Sequence, residues 1–134
     1  MWIFTTAGYW SAVQDRNDPT LLSVRTRDRV SADALADGIE LIAGVDRPAV
    51  RTGEGTDYPY RLTVTKIDFA AYLSHEVLNY LTYTNFKDEA RRSLGDDWAH
   101  TLGNVWYDTW TLTDEEGVEF SPYMQRNLSK GYRR

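Results

Sequence analysis

The feature that most constrains the fold is a hydrophobic pattern of period two in two separate segments. In residues 21–27, Leu22, Val24 and Thr26 alternate with polar side chains. Residues 60–65 alternate in the same way, with Tyr60, Leu62 and Val64 on one side. Successive side chains of a β-strand point to opposite faces, so each segment predicts a strand with one buried face.

Apolar residues at helical spacing follow both strands. Leu35 and Ile39 lie on one stripe of a predicted helix, which we expect to begin at Ser31 and to end at Gly44. The Ser31 hydroxyl would cap the free N–H groups of the first turn. Val30 and Leu35 have the spacing of a hydrophobic staple, which would fix the entry of the chain into this helix.

The second helix has the most regular pattern in the chain, with Asp68 as its expected cap. Seven positions share one stripe, and all but one are apolar or aromatic: Phe69, Tyr72, Leu73, Glu76, Val77, Tyr80 and Leu81. Two more helices are predicted after it. One covers residues 86–94, with Asn85 or Thr84 as its cap, and the next begins at Asp96.

Residues 2–14 are rich in aromatic and β-branched types and predict one strand with a bulge at Gly8. Residues 48–53 predict a further short strand. The resulting order is strand, strand, helix, strand, strand, helix, helix, helix. We therefore expect an α+β fold, an antiparallel sheet of about four strands with helices packed on one face. A ferredoxin-like arrangement is the alternative.

The charge of the chain is unevenly distributed. The formal net charge is −5, and residues 121–134 contain four basic and no acidic side chains, so residues 1–120 carry −9. An acidic body is a poor footprint for nucleic acid, which we do not expect as a partner. We assign residues 1–117 to a single α+β domain and residues 118–134 to a basic C-terminal extension.

Several classes of protein are disfavoured by what the sequence lacks. It contains no cysteine, which removes disulfides, cysteine zinc sites, iron–sulfur clusters and thiol nucleophiles. No apolar run approaches the ~20 residues of a membrane span, and no secretory signal pattern is visible. We expect a cytoplasmic protein that binds no membrane.

No catalytic constellation emerges from the motifs. Neither a G-x-S-x-G elbow nor a phosphate-binding loop is present. His100 follows Asp96 by one helical turn, but two ligands do not make a metal site. His75 and Glu76 are adjacent and should point to different faces of a helix. We predict no catalytic residues, no metal and no cofactor, and we favour a protein that is not an enzyme.

Two polar and aromatic segments, GTDYPYR at residues 55–61 and YTNFK at residues 83–87, contain the best candidates for a binding site. With one later tryptophan, the candidate ligand or partner surface comprises Asp57, Tyr58, Tyr60, Arg61, Tyr83, Asn85, Lys87 and Trp106. Their charged and amide groups would surround a polar or anionic ligand between tyrosine walls. Alternatively, the same residues shape a loop, cap a helix and pair with an acid.

Two further features point to surfaces. The chain has 18 aromatic residues, more than one small core needs, so some tryptophans are expected at a partner surface. Arg25, Arg27 and Arg61 occupy the outward phase of their strands and would form a cationic strip if those strands are neighbours. We expect Asp57 and Glu54 to pair with this strip as ordinary surface ion pairs.

Together, the N-terminal segment MWIFTTAGYWSAVQ and the GTDYPYR and YTNFK segments resemble a family of small bacterial proteins of uncharacterised function. These proteins begin with an MW-[IL]-FT strand and carry GTDYPYR-like and Y-[ST]-N-F-K motifs. The resemblance covers about residues 1–110. It implies a shared fold and no known activity.

The absence of catalytic motifs and the surplus of aromatic residues favour a non-enzymatic protein–protein interaction module, with a regulatory or inhibitory role. The alternative is a small enzyme or a ligand-binding domain for a polar or anionic metabolite. Arginine outnumbers lysine strongly, which is typical of a G+C-rich genome. A phage or other mobile element of such a host is a source consistent with this bias and with the small size.

Overall fold

A computed structural model describes residues 1–53 and 55–109. Their elements are β1 (Trp2–Thr5), β2 (Gly8–Gln14), β3 (Leu21–Thr26), α1 (Arg29–Ala43), β4 (Arg51–Thr52), β5 (Tyr60–Thr65), α2 (Lys66–Asn79), α3 (Phe86–Leu94) and α4 (Asp96–Thr109). The chain divides into two compact units, Met1–Gly103 and Asn104–Arg134. The predicted boundary after residue 117 lies outside the described residues.

The five strands form one antiparallel sheet in the order β1-β2-β3-β5-β4. Helices α1 and α2 pack against the same side of this sheet. The predicted α+β class with an antiparallel sheet and helices on one face is therefore confirmed. The described elements do not follow the βαββαβ order of a ferredoxin-like fold.

The sheet has five strands where about four were expected, because residues 2–14 form a hairpin and not one bulged strand. The chain reverses at residues 6 and 7, and β2 starts at Gly8 with φ +149°. Close packing also selects glycine there, since a Cβ at Gly8 would lie 2.4 Å from the Ser31 Oγ and 2.9 Å from the Ser31 Cα.

The hydrophobic core lies between the sheet and helices α1 and α2. It is made of Trp10, Ala12, Val24, Ala32, Leu35, Ala36, Ile39, Leu62, Val64, Phe69 and Tyr72. The Trp10 indole donates a hydrogen bond of 2.8 Å to the Ser31 carbonyl and contacts the Tyr72 ring edge-on, with centroids 5.7 Å apart. The predicted burial of alternate residues in β3 and β5 is confirmed.

The start of α1 differs from the prediction by three residues. Asp28, not Ser31, is the N-cap: its carboxylate accepts from the Ser31 backbone N–H at 2.7 Å and from the Ser31 hydroxyl at 2.8 Å. Val30 is exposed, so the predicted hydrophobic staple is wrong. The helix ends at Gly44 as predicted, in the left-handed conformation with φ +64°.

Helix α2 also begins earlier than predicted. Thr65 is its N-cap, and Thr65 and Asp68 bond reciprocally, because the Thr65 hydroxyl accepts from the Asp68 N–H and donates to the Asp68 carboxylate. The helix ends at Asn79, two residues short of the periodic pattern, so Leu81 lies beyond it and is exposed.

The last two described helices begin where the sequence places them. Asn85 caps α3 by accepting from the N–H groups of Lys87 and Asp88. Gly95 follows with φ +93° and separates α3 from α4, which starts at Asp96. Within the described ranges, no helix is long and apolar enough to cross a bilayer.

Candidate functional site

The side of the sheet opposite α1 and α2, here called the open face, carries one continuous row of side chains across all five strands. The strand registers place Trp2 opposite Ser11, Ser11 opposite Arg25, Arg25 opposite Arg61, and Arg61 opposite Arg51. Three arginines from three neighbouring strands thus lie side by side. We call Arg25, Arg61 and Arg51 the arginine row.

Backbone hydrogen bonding shows how close two members of this row lie. Lys66 N–H donates to the Thr20 carbonyl at 3.0 Å, and hydrogen-bonded pairs recur every second residue along antiparallel strands. Thr20 and Lys66 form a hydrogen-bonded pair, so the even-numbered residues of β3 form hydrogen-bonded pairs with β5 and the odd-numbered residues do not. Arg25 and Arg61 are therefore a non-hydrogen-bonded pair. In such pairs the Cα atoms approach to about 4.5 Å and the side chains are closest. Arg25 and Arg61 therefore occupy directly opposite positions on β3 and β5, and like-charged residues in such positions are destabilising without a counter-ion.

Neutral groups hold the arginines in place. Arg25 donates from its terminal nitrogen to Ser11 Oγ at 3.0 Å, and its guanidinium carbon lies 4.8 Å from the centre of the Tyr58 ring. Arg27, just beyond the end of β3, approaches the same ring at 5.4 Å. Arg61 donates to the Tyr58 carbonyl at 3.4 Å. Stacking on an aromatic face offsets part of the repulsion, by about 0.5–1 kcal/mol per contact.

Arg51 completes the row at the other edge of the sheet. It is exposed, lies opposite Arg61 and donates to the hydroxyl of Thr63, which belongs to the same open face. The described contacts of the row are therefore made with hydroxyl, carbonyl and ring groups, none of which carries a negative charge.

No carboxylate neutralises the row in the part of the chain that the structure describes. The six ion pairs found there use Arg29, Arg47, Arg91 and Arg92. The predicted pairing of Arg61 with Asp57 is therefore wrong, and Glu54 lies outside the described residues. In addition, the Nε atom of Arg25 is buried and has no acceptor among the described residues. The predicted cationic strip exists, and no carboxylate among the described residues forms an ion pair with it.

An aromatic cluster lies beside the row, toward the β1 edge. Phe4 stacks on Tyr9 with centroids 4.7 Å apart, and Trp2 meets Tyr9 edge-on at 6.2 Å. The hydroxyls of Tyr9 and Tyr58 lie 3.1 Å apart, and burial is the main cause that raises the pKa of Tyr9. Tyr9 and Tyr58 form the buried floor of the cluster, whereas Trp2 is 67% exposed and offers a free aromatic surface.

The predicted GTDYPYR site is divided between the two faces of the sheet. Tyr58 and Arg61 lie on the open face, although Tyr58 is only 5% exposed and serves as a floor, not as a wall. Tyr60 is half-buried on the opposite face, against the core. Asp57 is exposed on the loop before β5. The segment therefore contributes Arg61 and Tyr58 to the candidate site.

The predicted YTNFK residues have structural partners of their own. Asn85 caps α3, the structural alternative considered for it, and the Tyr83 ring lies 5.9 Å from the Phe86 ring. Burial raises the pKa of Tyr83. Among the described residues, no hydrogen bond, ion pair or ring contact joins Tyr83 or Asn85 to Tyr58 or Arg61. Residue Lys87 follows Asn85 in the first turn of α3 and is half-buried.

Trp106 belongs to the second compact unit. It is 40% exposed on α4, and its carbonyl accepts a hydrogen bond of 2.8 Å from the Thr109 hydroxyl. The indole thus offers a partly exposed aromatic surface within that unit.

A shallow depression of about 250 Å³ between α1 and α2 was not anticipated from the sequence. Its lining includes Tyr72, His75, Glu76 and Tyr80. Burial raises the pKa of Glu76, and the His75 Nδ1 atom is buried without a hydrogen-bond partner among the described residues. His75 and Glu76 both line the depression, although their adjacency in sequence predicts that they point to different faces of the helix. The sequence signal for this depression is Glu76, a polar residue on the otherwise apolar stripe of α2.

Among the described residues, no three histidine or acidic side chains cluster closely enough to hold a metal ion. Comparison with known proteins adds no identity: no family model, no curated protein and no solved structure matches the chain significantly. The resemblance to the uncharacterised bacterial family stays a prediction.

Proposed function

We propose that this protein is a non-enzymatic protein–protein interaction module with a regulatory or inhibitory role, and that the open face of its sheet is the contact surface. The observation that carries the proposal is the arginine row, three like charges on neighbouring strands without a carboxylate partner among the described residues. Charges that repel within the free protein are neutralised when an acidic partner covers them.

The separation of charge between the two sides of the molecule supports this orientation. Acidic side chains lie on the helices, where Asp33 and Asp37 of α1 both pair with Arg47. The arginine row lies on the open face. An acidic partner is therefore attracted to the arginine row, whereas on the helix side these acids and Arg47 already neutralise one another.

The shape and the chemistry of the open face also suit a protein partner. Aromatic residues and arginine are enriched at protein interfaces, and here Trp2 and Arg25 share one cross-strand row. The acidic balance of residues 1–120 argues against nucleic acid as the partner.

The test is affinity capture from the host lysate with charge-reversal variants. Arg51→Glu and Arg61→Glu should each lose a partner that the unmodified protein retains at physiological salt. The matched control is Arg91→Glu on α3, where Arg91 is exposed and paired with Asp88 and Asp96. Retention of the partner by both open-face variants, or an equal loss by the control, would contradict the proposal.

The second candidate function is binding of a small anionic metabolite at the same row, supported by the Tyr58 ring beneath Arg25 and Arg27. A thermal-shift screen discriminates between the two functions. A specific metabolite at 100 times its dissociation constant stabilises the folded state by about 2.7 kcal/mol. A shift that disappears in Arg61→Glu would favour the metabolite over the protein partner.

The proposal needs no cofactor or metal, and its cellular setting rests on composition alone. The excess of arginine over lysine and the small size support an origin in a phage or mobile element of a G+C-rich host. A cytoplasmic location is part of the same proposal.

A further inference from the structure

We infer that Arg25 and Arg61 together bind one oxyanion group, a carboxylate or a phosphate monoester, carried by the partner protein. The inference rests on the proposed function, because it names the chemistry by which the open face recognises that partner. Arg51 of β4 lies opposite Arg61 and receives a second anionic group from the same segment of the partner protein.

The geometry of the pair carries the first step. Arg25 and Arg61 lie directly opposite each other in a non-hydrogen-bonded pair of β3 and β5. Each guanidinium is a planar fork of N–H donors that matches two oxygens of a carboxylate or phosphate. An anion between two such forks receives donors from both sides and removes the repulsion between them.

The second step is that one of the two arginines is already held in place. Arg25 is half-buried, anchored by the Ser11 hydroxyl at 3.0 Å and stacked on Tyr58 at 4.8 Å. Tyr58 is itself fixed by its contact with the Tyr9 hydroxyl at 3.1 Å. Binding therefore immobilises fewer rotamers than it would for a free surface arginine, which improves affinity.

The third step concerns donors left over in the free protein. In the described residues, Arg25 and Arg61 make one hydrogen bond each, to Ser11 and to the Tyr58 carbonyl. A guanidinium has five N–H donors. Most donors of the pair therefore have no acceptor among the described residues, whereas Arg47 on the helix side already binds two carboxylates.

The experiment follows the arginine Nε–H signals of the full chain by NMR during titration with three probes: acetate, inorganic phosphate, and short peptides. The peptides share one sequence and carry either two glutamates, two phosphoserines or two glutamines. We expect saturable shifts of the Arg25 and Arg61 signals with the anionic probes, no shift with the glutamine peptide, and an unaffected Arg91. The tighter of the glutamate and phosphoserine peptides identifies the source of the oxyanion.

Single substitutions test the pairing. Arg61→Gln should weaken binding of the preferred peptide by about tenfold or more, because it removes charged hydrogen bonds. Arg91→Gln should leave it unchanged. Linear shifts without saturation or equal shifts of all arginine signals would overturn the inference. So would tighter binding of a single-stranded oligonucleotide, titrated in the same way, than of either acidic peptide.

The capture experiment tests the proposed function, and the titration tests the oxyanion chemistry, so either claim can be contradicted without the other. If Arg61→Glu loses the cellular partner but no anionic probe binds, the open face is the contact surface and the oxyanion chemistry is wrong. If anionic probes bind at Arg25 and Arg61 but partner capture is unaffected by Arg61→Glu, the proposed function is wrong.

Discussion

The two faces of one sheet differ in almost every respect, although they are built from alternate residues of the same strands. Toward the helices, Trp10, Val24 and Leu62 are buried, neutral and closely packed. Away from them, Arg25 and Arg61 lie opposite each other without a carboxylate among the described residues. The covered face therefore holds the buried apolar side chains that stabilise the fold, and the open face is the proposed contact surface.

The largest expected effect is on the covered face. Leu62→Ala should lower the free energy of unfolding by about 2–5 kcal/mol, because Leu62 is fully buried and the cavity would be lined by well-packed neighbours. Its neighbour provides the comparison: Arg61→Ala should change the same quantity by less than about 0.5 kcal/mol. Denaturant unfolding of both variants checks the contrast, and similar losses would show that the open face also stabilises the fold.

A smaller loss is expected where the first hairpin meets α1. Gly8→Ala should destabilise by about 1–3 kcal/mol, because the new Cβ would overlap Ser31 at a positive φ. Gly53→Ala is the control, since a Cβ there meets nothing within 4 Å. Thermal unfolding should separate the two variants clearly. Equal melting temperatures would mean that the hairpin is not seated on α1 as described.

The N-cap of α1 should contribute less to the free energy of unfolding than the packing at Gly8. Asp28→Ala removes the acceptor of the Ser31 N–H and hydroxyl, at a cost of about 0.5–2 kcal/mol. Asp28→Asn retains an acceptor oxygen and should recover most of this loss in the same unfolding measurement. If Ser31→Ala were costly while Asp28→Ala was neutral, the cap predicted from the sequence would be the correct one.

The depression between α1 and α2 predicts a pH effect of small size. Burial raises the pKa of Glu76 above its ordinary value of 4.5, so its stabilising contribution is complete in acid and is lost as the pH rises through the raised pKa. Glu76→Gln should therefore match or exceed the unmodified protein in melting temperature at neutral pH, and the difference should fade below pH 4.5. If Glu76→Gln were less stable than the unmodified protein at neutral pH and this deficit disappeared in acid, the stated direction of the Glu76 pKa shift would be wrong.

Much of the fold could be predicted because periodicity is a local property. The alternation around Leu62 and the stripe containing Phe69 each identify one buried face. The hairpin at Gly8 was missed because the reason for glycine there is a contact with Ser31, which is distant in sequence. The α1 cap was misplaced because Asp28 and Ser31 are both good caps, and their mutual hydrogen bond decides between them.

The candidate site was predictable only in part. The outward phase of Arg25 and Arg61 follows from alternation, so the cationic strip could be proposed. The position of Arg51 beside Arg61 could not be predicted, because it depends on β4 pairing with β5 in a particular register. Tyr58 was expected to line a pocket and instead supports two arginines, since its partner Tyr9 comes from another strand.

The most direct test of the account is a paired measurement on Arg61→Glu, of its free energy of unfolding and of its retention of the captured partner. The new carboxylate would lie between Arg25 and Arg51, so two repulsive pairs become attractive. We predict stability unchanged or higher by up to about 1 kcal/mol, together with loss of the partner. Unchanged partner binding would contradict the central claim that the open face is the functional surface.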